Sequence, residues 1–119
     1  MSKRFGVSGA CAEAIVAAAT DARYLLGKAI STNRSFWLKA MWVYNSHATA
    51  DAILDLFDSA EGANPAAATQ KFSLVCPPGV TTVMDFGSPG LEFKTNCVAA
   101  QAGGTVLAFE AGGNGYEVG

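Results

Sequence analysis

Residues 36–58, FWLKAMWVYNSHATADAILDLFD, constrain the fold more than any other part of the chain. They contain two apolar, aromatic-rich runs, 36–44 and 50–58, which are joined by a short polar turn. Runs of this length that are rich in aromatic and branched residues and bounded by turn residues are typical of β-strands. The segment therefore predicts two consecutive strands, and it contains no catalytic constellation.

The first of the two predicted strands is apolar on both faces. Regular alternation along a strand places Trp37 on one face and Trp42 on the other. A strand of this kind suits a central position with a layer on each side better than a solvated edge. Core packing accounts for one tryptophan. The other is expected beneath a second layer or against a neighbouring molecule, because tryptophan is a frequent interface anchor.

The run at 50–58 alternates so that one face is apolar and the other is mixed. Ala52, Leu54 and Leu56 lie on one face, and charged residues recur on the other. This period of two favours a strand with one face in the core. A helix over the same residues is the open alternative, because Thr49 could act as its N-cap and the leucines also fit helical spacing.

More strand signals follow at short intervals, separated by turns that contain glycine and proline. Strands are predicted at 23–30, 70–76, 80–86, 91–98 and 105–110. Short strands at regular spacing are typical of a sandwich or a barrel. The predicted fold class is all-β: an antiparallel β-sandwich, jelly-roll-like, of about seven to eight strands. The glycine-rich residues 112–115 are interpreted as a flexible C-terminal turn.

The chain has 119 residues, which is the length of one β-sandwich domain. This domain is assigned to residues 23–119. Residues 1–22 are interpreted as an N-terminal arm. Within the arm, the Ala-rich residues 12–19 could form a short helix, because alanine is the best helix former, and an extended arm is the alternative.

The charge content restricts the classes of partner. Only 15% of the residues are charged, and the net charge is −2. Since globular domains usually carry about 25% charged residues, the low charge density indicates either a surface that docks on other subunits or simply a composition rich in alanine and glycine. There is no basic block, so nucleic acid is not an expected partner. No apolar run approaches the roughly 20 residues of a membrane-spanning helix, so no membrane is expected either.

Side chains that could support chemistry are few. His47 is the only histidine, and it is interpreted as an exposed turn residue, because neighbours in a turn rarely form a catalytic arrangement. Cys11, Cys76 and Cys97 lack the paired spacing of a metal site and are predicted to be small buried hydrophobic residues. No catalytic, cofactor-binding or metal-ligating residue and no cofactor is predicted, and the chain is not expected to be an enzyme.

Asp51, Asp55 and Asp58 do not have the spacing of a calcium loop. Such a loop needs oxygen ligands at alternate positions around a glycine, whereas apolar residues fill the intervals here. The three carboxylates are interpreted as a charged edge that prevents unwanted strand pairing. This interpretation places the strand at the rim of a sheet.

Residues 36–58 and 77–104 resemble a class of small β-sandwich virion structural proteins from tailed bacteriophages. The resemblance is carried by WVYNSHATADAILDLFD, CPPGV and DFGSPGLEFKTNCV, and it leaves residues 1–22 outside. It implies a structural part of a virion, assembled in the host cytoplasm: a capsid decoration or cement protein, a head fibre or a tail-associated module. It implies no catalytic residues.

The first expectation is a capsid decoration protein that binds the capsid surface and neighbouring subunits. Its partners would be copies of itself, with a trimer as one option, and another virion protein such as the major capsid protein. A tail- or fibre-associated module that binds carbohydrate or a receptor is the alternative, and a small enzyme is the weakest one. The expected contact residues belong to the arm and to the aromatic strand: Phe5, Val7, Ile15, Val16, Trp37 and Trp42.

Overall fold

The computed structural model describes residues 4–11, 22–102 and 109–119, and these ranges form two antiparallel sheets. The strands are β1 (Arg4–Cys11), β2 (Arg23–Tyr24), β3 (Ser35–Asn45), β4 (Ala52–Asp58), β5 (Gln70–Cys76), β6 (Thr81–Asp85), β7 (Leu91–Phe93), β8 (Cys97–Ala102) and β9 (Phe109–Val118). A short 3-10 helix, Ala67–Thr69, precedes β5.

The first sheet has the strand order β1-β9-β3-β6, with β7 also paired to β3, and the second has the order β2-β8-β4-β5. Two four-stranded sheets connected in this way form a jelly roll, and β7 is an addition to it. The predicted all-β antiparallel sandwich is therefore confirmed. Nine strands occur in the described part of the chain, slightly more than the number predicted.

The predicted strands at 36–44, 50–58, 70–76 and 80–86 are confirmed as β3 to β6, with ends that differ by at most two residues. The helical alternative at 50–58 is wrong. Ala52 and Leu54 are buried while Ile53 between them is exposed, which is the alternation of a strand.

The strand predicted at 23–30 is much shorter, because only Arg23–Tyr24 pairs with β8. The next two residues, Leu25 and Leu26, are both buried. Neighbouring side chains of a strand point to opposite faces, so burying both requires the chain to turn. Gly27 provides the turn with φ of 72° and donates from its N–H to the carbonyl of Tyr24 at 3.0 Å.

The single strand predicted at 91–98 is wrong. It is divided into β7, in the first sheet, and β8, in the second. The Asp58 carboxylate at the end of β4 accepts hydrogen bonds from the N–H groups of Lys94, Thr95 and Asn96 at 2.9, 2.7 and 3.2 Å. Three consecutive N–H groups turned toward one carboxylate cannot pair with a strand, so the chain crosses between the sheets here.

The flexible turn predicted at 112–115 is also wrong, because these residues lie in β9 between β1 and β3. Glycine is required there by close packing. A Cβ on Gly115 would collide with the carbonyl oxygen of Trp37 and would lie 2.6 Å from the ring of Phe36. The absence of side chains thus allows β3 and its core aromatic residue to approach β9 closely.

The two ends of the described chain come together in the first sheet. Arg4–Cys11, which belongs to the predicted arm, pairs with β9 along its whole length. The predicted helix at 12–19 and most of the strand predicted at 105–110 lie outside the described residues.

The core lies between the two sheets. Phe36 and Phe93 form a buried cross-strand pair in the first sheet, and they belong to the same cluster as Leu54 and Leu56 of the second. Apolar side chains on both inner faces hold the layers together, as in other sandwiches.

Asn45 connects the layers at one end of the sandwich. Its fully buried side chain donates from Nδ2 to the carbonyls of Ala50 and Cys76 at 2.8 and 3.0 Å, and its Oδ1 accepts from the N–H of His47 at 3.0 Å. Because all these groups are satisfied, the last residue of β3 is fixed to the end of β5 in the opposite sheet.

Replacing Gly115 with alanine tests the close approach of β3 and β9. The new Cβ would meet a backbone carbonyl and the Phe36 ring, so we expect a loss of about 1–3 kcal/mol in the free energy of unfolding, or more. Gly6→Ala on β1 is the matched control, because nothing lies within 4 Å of the position of its Cβ, and its effect should stay within about 0.5 kcal/mol. Urea unfolding would compare the two variants. Equal stability of both would contradict the described packing.

Candidate functional site on the outer face of the first sheet

A β-bulge interrupts β3. Opposite β9, Leu38 pairs with Gly115 and Ala40 pairs with Asn114, so Lys39 is the extra residue. A bulge inserts one residue and shifts the alternation of side chains beyond it. The two halves of β3 therefore have opposite phase.

The bulge moves both tryptophans to the same face. Leu38 before the bulge and Met41 after it are both buried in the core. Trp37 and Trp42, five positions apart, are consequently both half-buried on the outer face. The prediction that they lie on opposite faces is wrong, because it assumed an uninterrupted period of two.

The Trp42 indole lies over β9. A Cβ on Gly112 would come within 2.8 Å of Cζ2 and 2.9 Å of Cε2 of this side chain. Gly112 is itself buried, and its cross-strand position pairs it with Trp42. The six-membered ring therefore rests on the glycine backbone, and the side chain is held in place across the neighbouring strand.

Two depressions lie next to each other on this face, each of about 400 Å³. Both are bordered by Ser8 and Asn114, which form a cross-strand pair between β1 and β9. One extends to Trp42 and Val83, and the other extends to Lys39. We call the two together the outer groove. Its floor is largely glycine backbone: Gly6, Gly9, Gly113 and Gly115.

The groove combines an apolar wall with free polar groups. Within the described residues, the side chains of Ser8, Lys39 and Asn114 form no hydrogen bond or ion pair with another side chain or with the backbone. A hydroxyl, an ammonium and an amide thus remain available beside the indole of Trp42. An arrangement of one aromatic surface and a few polar groups is typical of ligand sites.

The other predicted contact residues are less accessible, or they lie outside the description. Val7 is half-buried and packs against the core. Phe5 belongs to β1, but its side chain is not described. Ile15 and Val16 lie outside the described residues.

Sequence reasoning missed Ser8, Lys39, Val83 and Asn114 as groove residues. Ser8 was assigned to an arm and Asn114 to a flexible turn. The sequence did contain a signal for Asn114, because it has glycines on both sides, and glycines allow two strands to approach closely.

A second surface feature is a group of exposed apolar side chains around the edge formed by β5 and β6. Each of these two strands pairs with one neighbour, and its other side faces no further strand within the described residues. The large apolar residues that are most exposed in the described chain are Tyr44, Ile53, Val75, Val80 and Val83. Ile53 pairs directly with Val75.

Most of the polar residues considered for chemistry have structural roles. His47 is half-buried, and its Nδ1 accepts from the N–H groups of Thr49 and Ala50 at 3.1 and 2.8 Å, so it organises the turn after β3. Asp55 accepts from the hydroxyl of Ser73 at 2.6 Å. The interpretation of the three aspartates as a charged edge is wrong, because β4 lies between β5 and β8.

The three cysteines are free and buried, as predicted. Burial raises the pKa of the Cys76 thiol from 9.0 to about 11, and the negative charge of Asp51 adds to the effect. Burial likewise raises the pKa of Cys97, with a smaller contribution from Asp58. Neither thiol is therefore activated as a nucleophile.

Among the described residues, no group of three or more His, Cys, Asp or Glu side chains could hold a metal ion. No helix in that part of the chain is long and apolar enough to cross a membrane.

Comparison with known proteins gives few matches. No protein-family model matches the chain, and no curated protein does. Among solved structures, the chain is similar to the crystal structure of PirA, with 12% sequence identity and a TM-score of 0.47 over 95% of this chain and 92% of that one. This similarity says nothing about function.

The raised pKa values predict slow thiol labelling in the folded state. At pH 8 we expect Cys76 and Cys97 to react with a disulfide reagent at least roughly tenfold more slowly than in urea, since a higher pKa leaves less thiolate. Raising the pH from 8 to 9 should speed labelling of the folded chain by roughly tenfold and that of the unfolded chain by only about fivefold, because a thiol near its pKa is already partly ionised. Mass spectrometry after proteolysis would assign the labelled positions. Rapid labelling of either residue in the native protein would contradict its burial.

Proposed function

We propose that this chain is a virion structural protein, a decoration protein that attaches to the capsid of a tailed bacteriophage and contacts neighbouring copies of itself. The proposal rests on the resemblance at residues 36–58 and 77–104, which form β3, β4 and the strands from β6 to β8. The jelly roll is compatible with this role, since viral capsid proteins are among those that use it, but the fold alone does not decide function.

The observation that carries the proposal is the apolar edge of the sandwich. Val75 is 54% exposed and Val80 is 49% exposed, at and just beyond the end of β5. We define these two residues and Ile53 as the docking edge. Apolar side chains beside an open strand edge favour contact with another protein chain.

A capsid shell is a suitable partner for such an edge. It offers the same binding surface many times, so a contact of modest area can hold a small protein firmly when several copies bind together. The open side of β5 also presents backbone N–H and C=O groups that an extended segment of a capsid subunit could pair with.

The direct experiment uses virions that carry this gene. We expect the purified particles to contain the chain, and antibody labelling in electron micrographs to fall on the heads. Capsids from a deletion mutant should bind the purified chain in a sedimentation assay. The double variant Val75→Glu/Val80→Glu should bind at least roughly tenfold more weakly, because it places two charges in an apolar contact.

Ala67→Glu/Ala68→Glu is the matched control for this variant. Both residues are exposed in the short helix before β5, at the opposite end of that strand, so the same two charges are added away from the docking edge. The control should bind capsids as the wild type does. Labelling of the tail tip, or absence of the chain from particles, would contradict capsid decoration.

A further inference from the structure

We propose that the outer groove is a carbohydrate-binding site that takes a saccharide with an acidic sugar unit. This goes beyond attachment to a capsid, because the groove lies on the face of the first sheet and the docking edge is built around β5. The site is assembled from β1, β3, β6 and β9, so it exists only in the folded sandwich.

Trp42 provides the surface on which a sugar ring would stack. Its position is fixed by Gly112 beneath the six-membered ring, and the side chain remains half-exposed beside Val83. Sugar rings have an apolar face of C–H groups and a rim of hydroxyls. A fixed indole with polar groups around it matches both parts of such a ring.

Ser8 and Asn114 provide the hydrogen-bonding groups. They face each other across β1 and β9, both are exposed, and neither side chain is engaged within the described residues. A hydroxyl and a carboxamide can each donate and accept, which is what vicinal sugar hydroxyls require. An apolar peptide would leave these groups without partners and would bind less well.

The glycine floor allows a ring to lie close to the sheet. Gly6 and Gly9 of β1 and Gly113 and Gly115 of β9 border the groove without side chains. The distance along β9 from Gly113 to Gly115 is about 7 Å at roughly 3.3 Å per residue, which is room for one sugar unit beside Trp42. The shared border at Asn114 joins the two halves of this path.

Lys39 determines the acidic preference. The bulge places it at the half of the groove away from Trp42, and its ammonium forms no ion pair within the described residues. Asp85, Glu92 and Glu110 also belong to this face, but none of them borders the groove, and the Asp85 carboxylate is turned to the N–H of Gly87, from which it accepts at 2.8 Å. A sugar carboxylate beside Lys39 would gain a charge-assisted hydrogen bond while a neutral ring rests on Trp42.

The test is a glycan array that holds sialylated, uronate-containing and neutral glycans, probed with the full chain. We expect binding to be concentrated on acidic glycans. Calorimetry with the best acidic glycan and its counterpart without the acidic unit should show at least tenfold tighter binding of the first. An array without any bound glycan would overturn the proposal, and so would a preference for neutral glycans.

Variants then assign the contacts. Lys39→Met should reduce the affinity for the acidic glycan at least tenfold and leave the acid-free counterpart unchanged, whereas Lys71→Met on exposed β5 should change neither. Asn114→Ala should weaken both glycans while the fold is kept, since its side chain is exposed and unengaged. Trp42→Ala should abolish binding, but it also uncovers Gly112 and could unfold the protein. If Trp42→Ala unfolds, the affinity of Asn114→Ala alone tests whether the glycan binds in the groove.

Glycan binding and capsid binding can be tested separately, so the failure of one proposal does not imply the failure of the other. Val75→Glu/Val80→Glu should bind glycan as the wild type does, because neither residue borders the groove. Unchanged glycan affinity in both Lys39→Met and Asn114→Ala would show that any glycan binds elsewhere, and it would overturn the assignment.

Discussion

The close contact between β9 and β3 is the constraint on which the rest of the structure depends. β9 lies between β1 and β3 in the first sheet, yet it contains three glycines. Where Gly115 faces the core, the Phe36 ring occupies the space of a side chain, and where Gly112 faces outward, Trp42 does the same. The glycines of β9 are thus covered by aromatic residues on both faces, and these come from the same neighbouring strand.

The fold class could be predicted from the sequence, because alternation and turn residues are local signals. The strands β3 to β6 show both, and they were located to within two residues. The errors have tertiary causes. The division between β7 and β8 depends on Asp58, which is distant in sequence, and the burial of both Leu25 and Leu26 depends on the opposite layer. Nothing in the local pattern reports such contacts.

The candidate site was less predictable than the fold. The two tryptophans were identified, but a single inserted residue in β3 changed the face of one of them relative to the other. A β-bulge at Lys39 has no strong sequence signal, and it is this bulge that brings an ammonium and both indoles to one surface. The two uncharged polar groups of the groove, Ser8 and Asn114, come from β1 and β9, where the sequence indicated an arm and a flexible turn.

The outer groove exists only if Trp37 and Trp42 share the outer face of the first sheet. The most direct measurement is acrylamide quenching of tryptophan fluorescence in the single-tryptophan variants Trp37→Phe and Trp42→Phe. The remaining tryptophan of each variant should be quenched more readily than a buried indole, since both side chains are only half-buried. A variant whose tryptophan emits at short wavelength and resists quenching would show that one indole is in the core, as regular alternation requires, and would contradict the shared outer face.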